Sequence, residues 1–366
     1  MRVDKIALNG FRNYEWESVN FDPGTNVISG PNAQGKTNLL EAVYLLSCGR
    51  SFRTRFDREL VGFDFSEADL LSDVYSHERE QTVNIRLHPG QVKRITVNGV
   101  KKTASELSEL LNVVLFCPDD LNLIKEGAAV RRRLMDNAIS QIRPRYAEYL
   151  SDFNRLYEHK TRILRDWREK PALLDTLDEF SDGMCRASAQ LIRYRAAFTA
   201  RLNEAAPPIH RDFSGDGEKL DIRYKTVSTV RDSFASAREI YYDLCDHQEK
   251  HRQAELDSGQ CLSGAHKDDL EIYINGRAAR SFASQGQTRT AALSLKLAER
   301  EIFLAETGEY PILLLDDVLS ELDSRRQEFV LNRIGGGQTL ITCCEDDDIS
   351  ARTGGKVLFV DKGRIR

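Results

Sequence analysis

Residues 25 to 49, "TNVISGPNAQGKTNLLEAVYLLSCG", restrict the fold more than any other stretch of the chain. The short run TNVIS leads directly into Gly30-Pro-Asn-Ala-Gln-Gly-Lys-Thr37, which fits G-x-x-x-x-G-K-[ST]. Behind it, Leu39, Leu40, Val43 and Leu46 fall on one helical face, and Gly49 offers a C-terminal stop. Strand, glycine-rich loop and helix in this order predict an α/β fold. The loop Gly30, Pro31, Asn32, Ala33, Gln34 and Gly35 is expected to cradle the phosphates of a nucleotide with its backbone N–H groups at the helix N-terminus. Lys36 is expected to reach the β- and γ-phosphates, and Thr37 to bind Mg²⁺.

The matching half lies far downstream in "YPILLLDDVLSELD". Its apolar run reads as a central parallel strand buried on both faces. Two carboxylates at the end of such a strand are costly unless they serve a cation or a water. Asp316 is expected to hold Mg²⁺, directly or through water, and Asp317 to polarise the attacking water. A role for both as mere loop caps ranks second in a chain that also carries the glycine-rich loop.

Three regions are expected. Residues 1–126 read as mixed α/β, the N-terminal part of a nucleotide-binding head, with an alternating strand in "VDKIAL" and an Asn-Gly hairpin in "RITVNGVKK". Residues 127–261 read as an inserted, mostly helical lobe with dense mixed charge, punctuated by Pro144, Pro171 and the pair Pro207-Pro208. Two helices of about 30 residues would extend roughly 45 Å, and no strict heptad persists, so the lobe is a stub rather than a coiled-coil arm. Residues 262–366 return to α/β character, with a second Asn-Gly hairpin in "DLEIYINGRAARSF".

Composition narrows the setting. No apolar run is long enough to cross a bilayer, the first residues lack a signal-peptide core, and the seven cysteines show no CxxC or CxxH spacing. A reduced cytoplasmic protein is expected. The formal net charge is -5, which disfavours whole-surface binding to a polyanion, so contact with nucleic acid must come from local basic patches, an oligomer or a partner. "RSFR" at 50–53, with Arg55 and Arg58, is one such patch. "RRR" at 131–133 reads as a solvated helix face. His266, Asp268 and Asp269 are assigned a structural or switch role beside the nucleotide, His247 and His251 are placed on the surface, and Trp16 and Trp167 are expected to pack inside.

A second loop decides between nucleotide-binding classes. Ser284, Gln285, Gly286 and Gln287 precede a helix that leads to the aspartate strand, and "SELD" follows that strand directly. The order of P-loop, helical insertion, signature loop, aspartate strand and second acidic loop resembles the ABC-type ATPases, whose signature loop caps the nucleotide of a second subunit. The set "LNGFRNY", "GPNAQGKTNLLEAVYLLSCGRSFR", "PDDLNLIKEGAAVRRRLMD", "GAHKDDLEIYINGRAARSFASQGQTRT" and "PILLLDDVLSELD" is similar to the RecF family, bacterial recombination mediators related to the heads of SMC and Rad50. The resemblance runs nearly end to end. It implies a P-loop ABC-type ATPase head with an inserted helical lobe, using ATP and Mg²⁺, that forms an ATP-dependent homodimer. It also implies binding of DNA at single-strand gaps or single-strand/double-strand junctions, loading of recombinase with RecO and RecR as partners, and slow ATP hydrolysis for release. Two departures from the wider ABC class fit slow turnover. Asp317 stands where a glutamate is usual, and Cys343 or Cys344 stands where a switch histidine is usual. The rivals are a transporter's ATP-binding subunit, which calls for that histidine, and a structural SMC-type head, which calls for long arms.

Overall fold

In the computed structural model, which describes residues 1–344 and 347–366, the chain forms two compact units. One gathers Met1–Asn122 and Ala292–Arg366, the other Leu123–Ala291.

The first unit starts with β1 (Arg2–Phe11) and β2 (Tyr14–Asn20), then β3 (Thr25–Ser29), which runs into α1 (Lys36–Cys48). Next come β4 (Ala68–Ser76), β5 (Arg79–Leu87), β6 (Arg94–Val97), β7 (Val100–Lys102), α2 (Ala104–Leu107) and β8 (Val113–Phe116). The second unit holds α3 (Ala128–Ile142), α4 (Pro144–Asp166), α5 (Leu177–Ser214), β9 (Leu220–Lys225), α6 (Ala237–Ser258), β10 (Asp269–Ile274), β11 (Arg277–Ala278) and α7 (Ala279–Phe282). Helix α8 (Gln285–Thr307) returns the chain to the first unit, followed by β12 (Ile312–Asp316), α9 (Ser324–Leu331), β13 (Thr339–Thr342), α10 (Asp347–Thr353), β14 (Lys356–Asp361) and β15 (Arg364–Ile365).

Two sheets build the first unit. The antiparallel one has the order β2-β1-β4-β5-β6-β7, and the other the order β15-β14-β3-β13-β12-β8. In the second, β14, β3, β13, β12 and β8 run parallel. Their sequences explain the difference. β4 alternates buried and open positions, as a sheet with one solvated face requires, whereas β12 and β13 are buried at every residue. The predicted β6–β7 hairpin turns on Asn98 at φ 50° and Gly99 at φ 80°, the left-handed pair that a two-residue turn matching strand twist demands. Helix α1 stops at Gly49, which takes φ 61°.

The second unit contains residues that the sequence pattern had assigned to the ATPase head. Residues 262–291 fall in it, and residues 123–126 join it as well. The reason is strand pairing: β10 is antiparallel to β9 along its length, with Ile272 opposite Ile222. Proline marked a boundary at Pro144, which opens α4, but not at the pair inside α5. Helix α5 continues for 38 residues through Pro207 and Pro208, although each removes one intrahelical hydrogen bond.

Charge is used inside this unit. Arg195 is buried and donates to Asp136 at 2.9 Å, to Asp268 Oδ2 at 2.7 Å and to the carbonyl of Ala265. Tyr224 also donates to Asp268 Oδ2, at 2.6 Å. Arg131 is buried and forks onto both oxygens of Asp269 at 2.7 and 2.9 Å, so the expected solvated face of "RRR" is wrong for its first residue. His247 is buried as well, 2.5 Å from Ser263 Oγ, and stacks on His251 with ring centres 4.0 Å apart. Trp167 is half-buried and donates to the carbonyl of Leu256, whereas Trp16 is exposed. No helix among the described residues is long and apolar enough to cross a membrane.

His266 gives this unit a pH dependence. Its Nε2 donates to the carbonyl of Cys261 at 2.9 Å, while its Nδ1 is buried without a partner among the described residues. Burial lowers its pKa from 6.5 to about 4. Between those values the unfolded chain binds the extra proton and the folded one does not, so stability rises with pH. The contribution is complete above about pH 6.5 and is lost as pH falls towards 4. Urea unfolding at pH 7 and pH 5 should show the wild type losing more stability than His266→Gln over that interval.

Candidate nucleotide site

The parallel sheet brings the two predicted halves together. β13 lies between β3 and β12, so the glycine-rich loop after β3 and the carboxylates at the end of β12 open on the same strand-end edge. Thr37 Oγ1 donates to Asp316 Oδ1 at 2.8 Å, and Thr342, the last residue of β13, donates to the same oxygen at 3.0 Å. Thr342 was not singled out in the sequence; nothing local distinguishes it from any other threonine ending a strand.

The loop's shape depends on missing side chains. Gly30 takes φ 140°, and a Cβ there would lie 2.2 Å from the carbonyl oxygen of Val360. Gly35 takes φ 120°, and a Cβ there would lie 2.7 Å from Asn13 Nδ2. Segments from both ends of the chain hold the loop from outside. Asn13 and Tyr14 donate to the carbonyls of Gln34 and Gly35 at 2.8 and 2.9 Å. From the β14–β15 turn, the Lys362 N–H donates to Gln34 Oε1 at 2.7 Å and the Gly363 N–H to Gln34 O at 3.0 Å.

Lys36 is buried beneath this arch. Its ammonium donates to the carbonyls of Gly30 and Pro31 at 2.5 and 2.9 Å and lies 4.0 Å from Cys344 Sγ. Cys344 is exposed and its thiol donates to Asn32 Oδ1 at 3.0 Å, while Cys343 is buried. No side chain caps the start of α1, and its first turn holds no acidic residue. Such a helix start is a set of unsatisfied N–H donors around a partial positive charge, the environment an oxyanion fits.

Burial raises the pKa of Asp316, against the hydrogen bonds from Thr37 and Thr342 and the nearby charge of Arg53, while Asp317 adds to the rise. Asp317 sits at φ 54°, held by its N–H donating to Thr342 Oγ1 at 2.8 Å, and its Oδ1 is buried with no hydrogen-bond partner among the described residues. A buried carboxylate oxygen without a donor fits a site built for a cation or water. Thr37 Oγ1 and Asp316 Oδ1 supply the hard oxygen donors suited to Mg²⁺. In the "SELD" segment, Asp323 caps α9, accepting from the Arg326 N–H at 3.0 Å.

A pocket of about 620 Å³ is lined in part by Arg12, Asn13, Asn38, Arg53, Phe63 and Phe65, together with the carboxylates of Glu15, Glu59 and Asp64. Arg12 forks onto the buried Glu41 at 2.8 and 2.7 Å, and Arg53 donates to Asn38 at 2.7 Å. "RSFR" thus lends Arg53 to this wall, whereas Arg58 is exposed and lies over the Phe56 ring.

The signature loop lies in the second unit. Ser284 and Gln285 are exposed at the start of α8. The Ser284 N–H donates to Gln287 Oε1 at 2.8 Å, and the Gln287 N–H donates back to Ser284 Oγ at 3.2 Å. This is a reciprocal cap, for which S-x-x-Q was the available sequence signal.

Over residues 2–351 the chain matches the family described as RecF/RecN/SMC N terminal domain. It is 38% identical to the DNA replication and repair protein RecF of Acetivibrio thermocellus over 98% of each chain. It is 40% identical to the protein of that name from Listeria innocua, over the whole of both chains. A solved structure described as the recombination mediator protein RecF-ATP in the RecFOR pathway superposes with a TM-score of 0.89 at 35% identity, covering 100% of this chain and 96% of that one. The Smc head domain with an extended coiled coil from Pyrococcus furiosus gives a TM-score of 0.56 at 16% identity, covering 100% and 95%, and shares the fold.

The close approach at Gly30 has a measurable cost. Gly30→Ala should lower stability by about 2–3 kcal/mol, since it forces both a strained φ and a backbone contact. Gly24→Ala, whose Cβ would meet nothing within 4 Å, should change it by less than about 0.5 kcal/mol. Urea titration monitored by circular dichroism compares them.

Proposed function

The chain belongs to the RecF family of SMC-like ATPase heads, and from that premise we propose that it is a DNA replication and repair protein working as an ATP-switched dimer. The observation that carries this reading is the junction of Lys36, Thr37, Asp316 and Asp317 at one edge of the parallel sheet. ATP takes its triphosphate to the loop Gly30 to Thr37, where the phosphates displace the carbonyl contacts of Lys36. Mg²⁺ is held by Thr37 and Asp316, and Asp317 orients the attacking water. Ser284 to Gln287 close over the γ-phosphate of a second copy, so ATP joins two chains. The aspartate at position 317 and a cysteine at 344 suit slow, weak hydrolysis, a switch rather than a motor. The first unit is the ATPase head, and the second is the helical lobe that bears the signature loop.

The dimer binds DNA at gaps or single-strand/double-strand junctions and acts in the cytoplasm with RecO and RecR. Arg50, Arg55 and Arg58 are exposed and supply phosphate contacts that dimerisation doubles. Duplex affinity should therefore require ATP and fall steeply with salt, by about 10³-fold between 50 and 200 mM for six phosphate contacts. Salt-insensitive binding in a filter or anisotropy assay, or equal binding without ATP, refutes this part.

Asp317→Asn should bind ATP and remain dimeric while hydrolysing it about 10²–10⁴-fold more slowly, as measured by phosphate release and light scattering.

The trans arrangement has its own test. Lys36→Met chains lack the phosphate cation and Ser284→Arg chains lack a usable signature loop, so neither should dimerise with ATP alone. Mixed, they form one intact site from the P-loop of the second and the loop of the first. Mixing should restore dimers and phosphate release. If folded variants gain nothing from mixing, the loop does not act on a second chain.

A further inference from the structure

The side chain of Gln287 has one group that its reciprocal cap with Ser284 leaves over, the amide nitrogen. It donates to Glu218 Oε1 at 2.9 Å. The other oxygen of Glu218 lies 3.0 Å from Nε2 of His210. His210 is buried near the C-terminal end of α5, two residues after Pro208. All three residues belong to the second unit, yet Glu218 is 69 positions from Gln287 in the chain. No motif joins them.

The hydrogens can be assigned by chemistry. An ionised carboxylate only accepts, so His210 Nε2 carries a hydrogen and Gln287 turns its NH₂ to Glu218. That orientation is also the one that leaves Gln287 Oε1 facing the Ser284 N–H. One carboxylate therefore fixes the amide's sense and, through it, the cap. Burial lowers the pKa of His210, with the bond to Glu218 opposing. A carboxylate behind the signature loop would oppose an incoming phosphate by charge, so its value at this place is geometric.

We propose that Glu218, backed by His210, is a positioning residue for the signature loop. It holds Gln287 so that the loop stands preformed, with its cap on Ser284 in place before a phosphate arrives. This rests on the reading that the loop receives the γ-phosphate of a second copy. Without the carboxylate the amide rotates freely, the cap is intermittent, and the loop must be ordered at the moment of dimerisation. Preorganisation is lost at both interfacial sites of a two-fold dimer, so the effect on ATP-dependent assembly counts twice.

A charge exchange separates this from a merely structural role. Gln287→Glu keeps the capping spacing, since glutamate serves in the same box, but sets two carboxylates against each other. Adding Glu218→Gln restores a donor and an acceptor. Two readouts are taken: amide hydrogen exchange at Ser284 and Gln287 in the nucleotide-free monomer, and the ATP concentration for half-maximal dimerisation by light scattering, normalised to measured ATP occupancy. Gln287→Glu and Glu218→Ala should each speed exchange and raise the ATP requirement by about tenfold, the order of one lost hydrogen bond to a charged group per bound ATP. The Gln287→Glu/Glu218→Gln pair should return both towards wild type. Unchanged exchange in Gln287→Glu, or no recovery in the pair, overturns the proposal, and so does assembly of both single variants at the wild-type ATP concentration. A wild-type protein that never dimerises with ATP overturns the dimer reading, and with it the purpose assigned to the contact, while the exchange result still shows whether the contact holds the loop.

Discussion

A phosphate loop has to be rigid without side chains to make it so, and this condition shapes the whole first unit. Gly30 and Gly35 leave no room for a Cβ between the loop and the Val360 carbonyl on one side and the Asn13 amide on the other. The loop therefore cannot be completed by its own strand and helix. It is held by the β1–β2 turn and the β14–β15 turn, segments from opposite ends of the chain.

Buried charge is handled in two ways. In the second unit, Arg195 and Arg131 are paired with carboxylates, and the geometry is close. Removing one partner of such a pair leaves an uncompensated charge, which costs more than the pair contributes. At the strand-end edge of the parallel sheet, Asp316 shares one oxygen between two threonine hydroxyls, and Asp317 has a buried oxygen with no hydrogen-bond partner among the described residues. Asp268 too keeps a buried Oδ1 without a partner among the described residues, so an orphan oxygen alone does not separate the two places. What separates them is the neighbour: the Arg195 guanidinium faces Asp268 Oδ2, whereas Asp316 accepts from the neutral hydroxyls of Thr37 and Thr342.

Local order was legible where a short stretch decides its own conformation. The glycine-rich loop, the apolar strand with its two aspartates, the stop at Gly49 and the Asn-Gly turns at 98–99 and 275–276 all rest on neighbours within a few residues. Trp16, His247 and Arg131 were misplaced because burial of a large or charged side chain depends on what packs over it. Pro207 and Pro208 misled for a related reason: tertiary contacts held α5 together beyond the point where propensity ends it. The break at residue 262 looked like a return to the head because its strand pattern resumes there, but β10 found its partner in β9.

The sequence by itself determined the glycine-rich loop, the paired aspartates that end an apolar strand, and the family that carries that order of motifs. These are properties of residue type at fixed spacing, and spacing survives in one dimension. Tertiary structure alone decided that Thr342 shares Asp316 with Thr37, that Val360 and Asn13 enclose the P-loop, and that Glu218 and His210 stand behind Gln287. Each of those is a contact between segments far apart in the chain, set by strand order and by the burial of apolar faces, and neither quantity is written in any single stretch of residues.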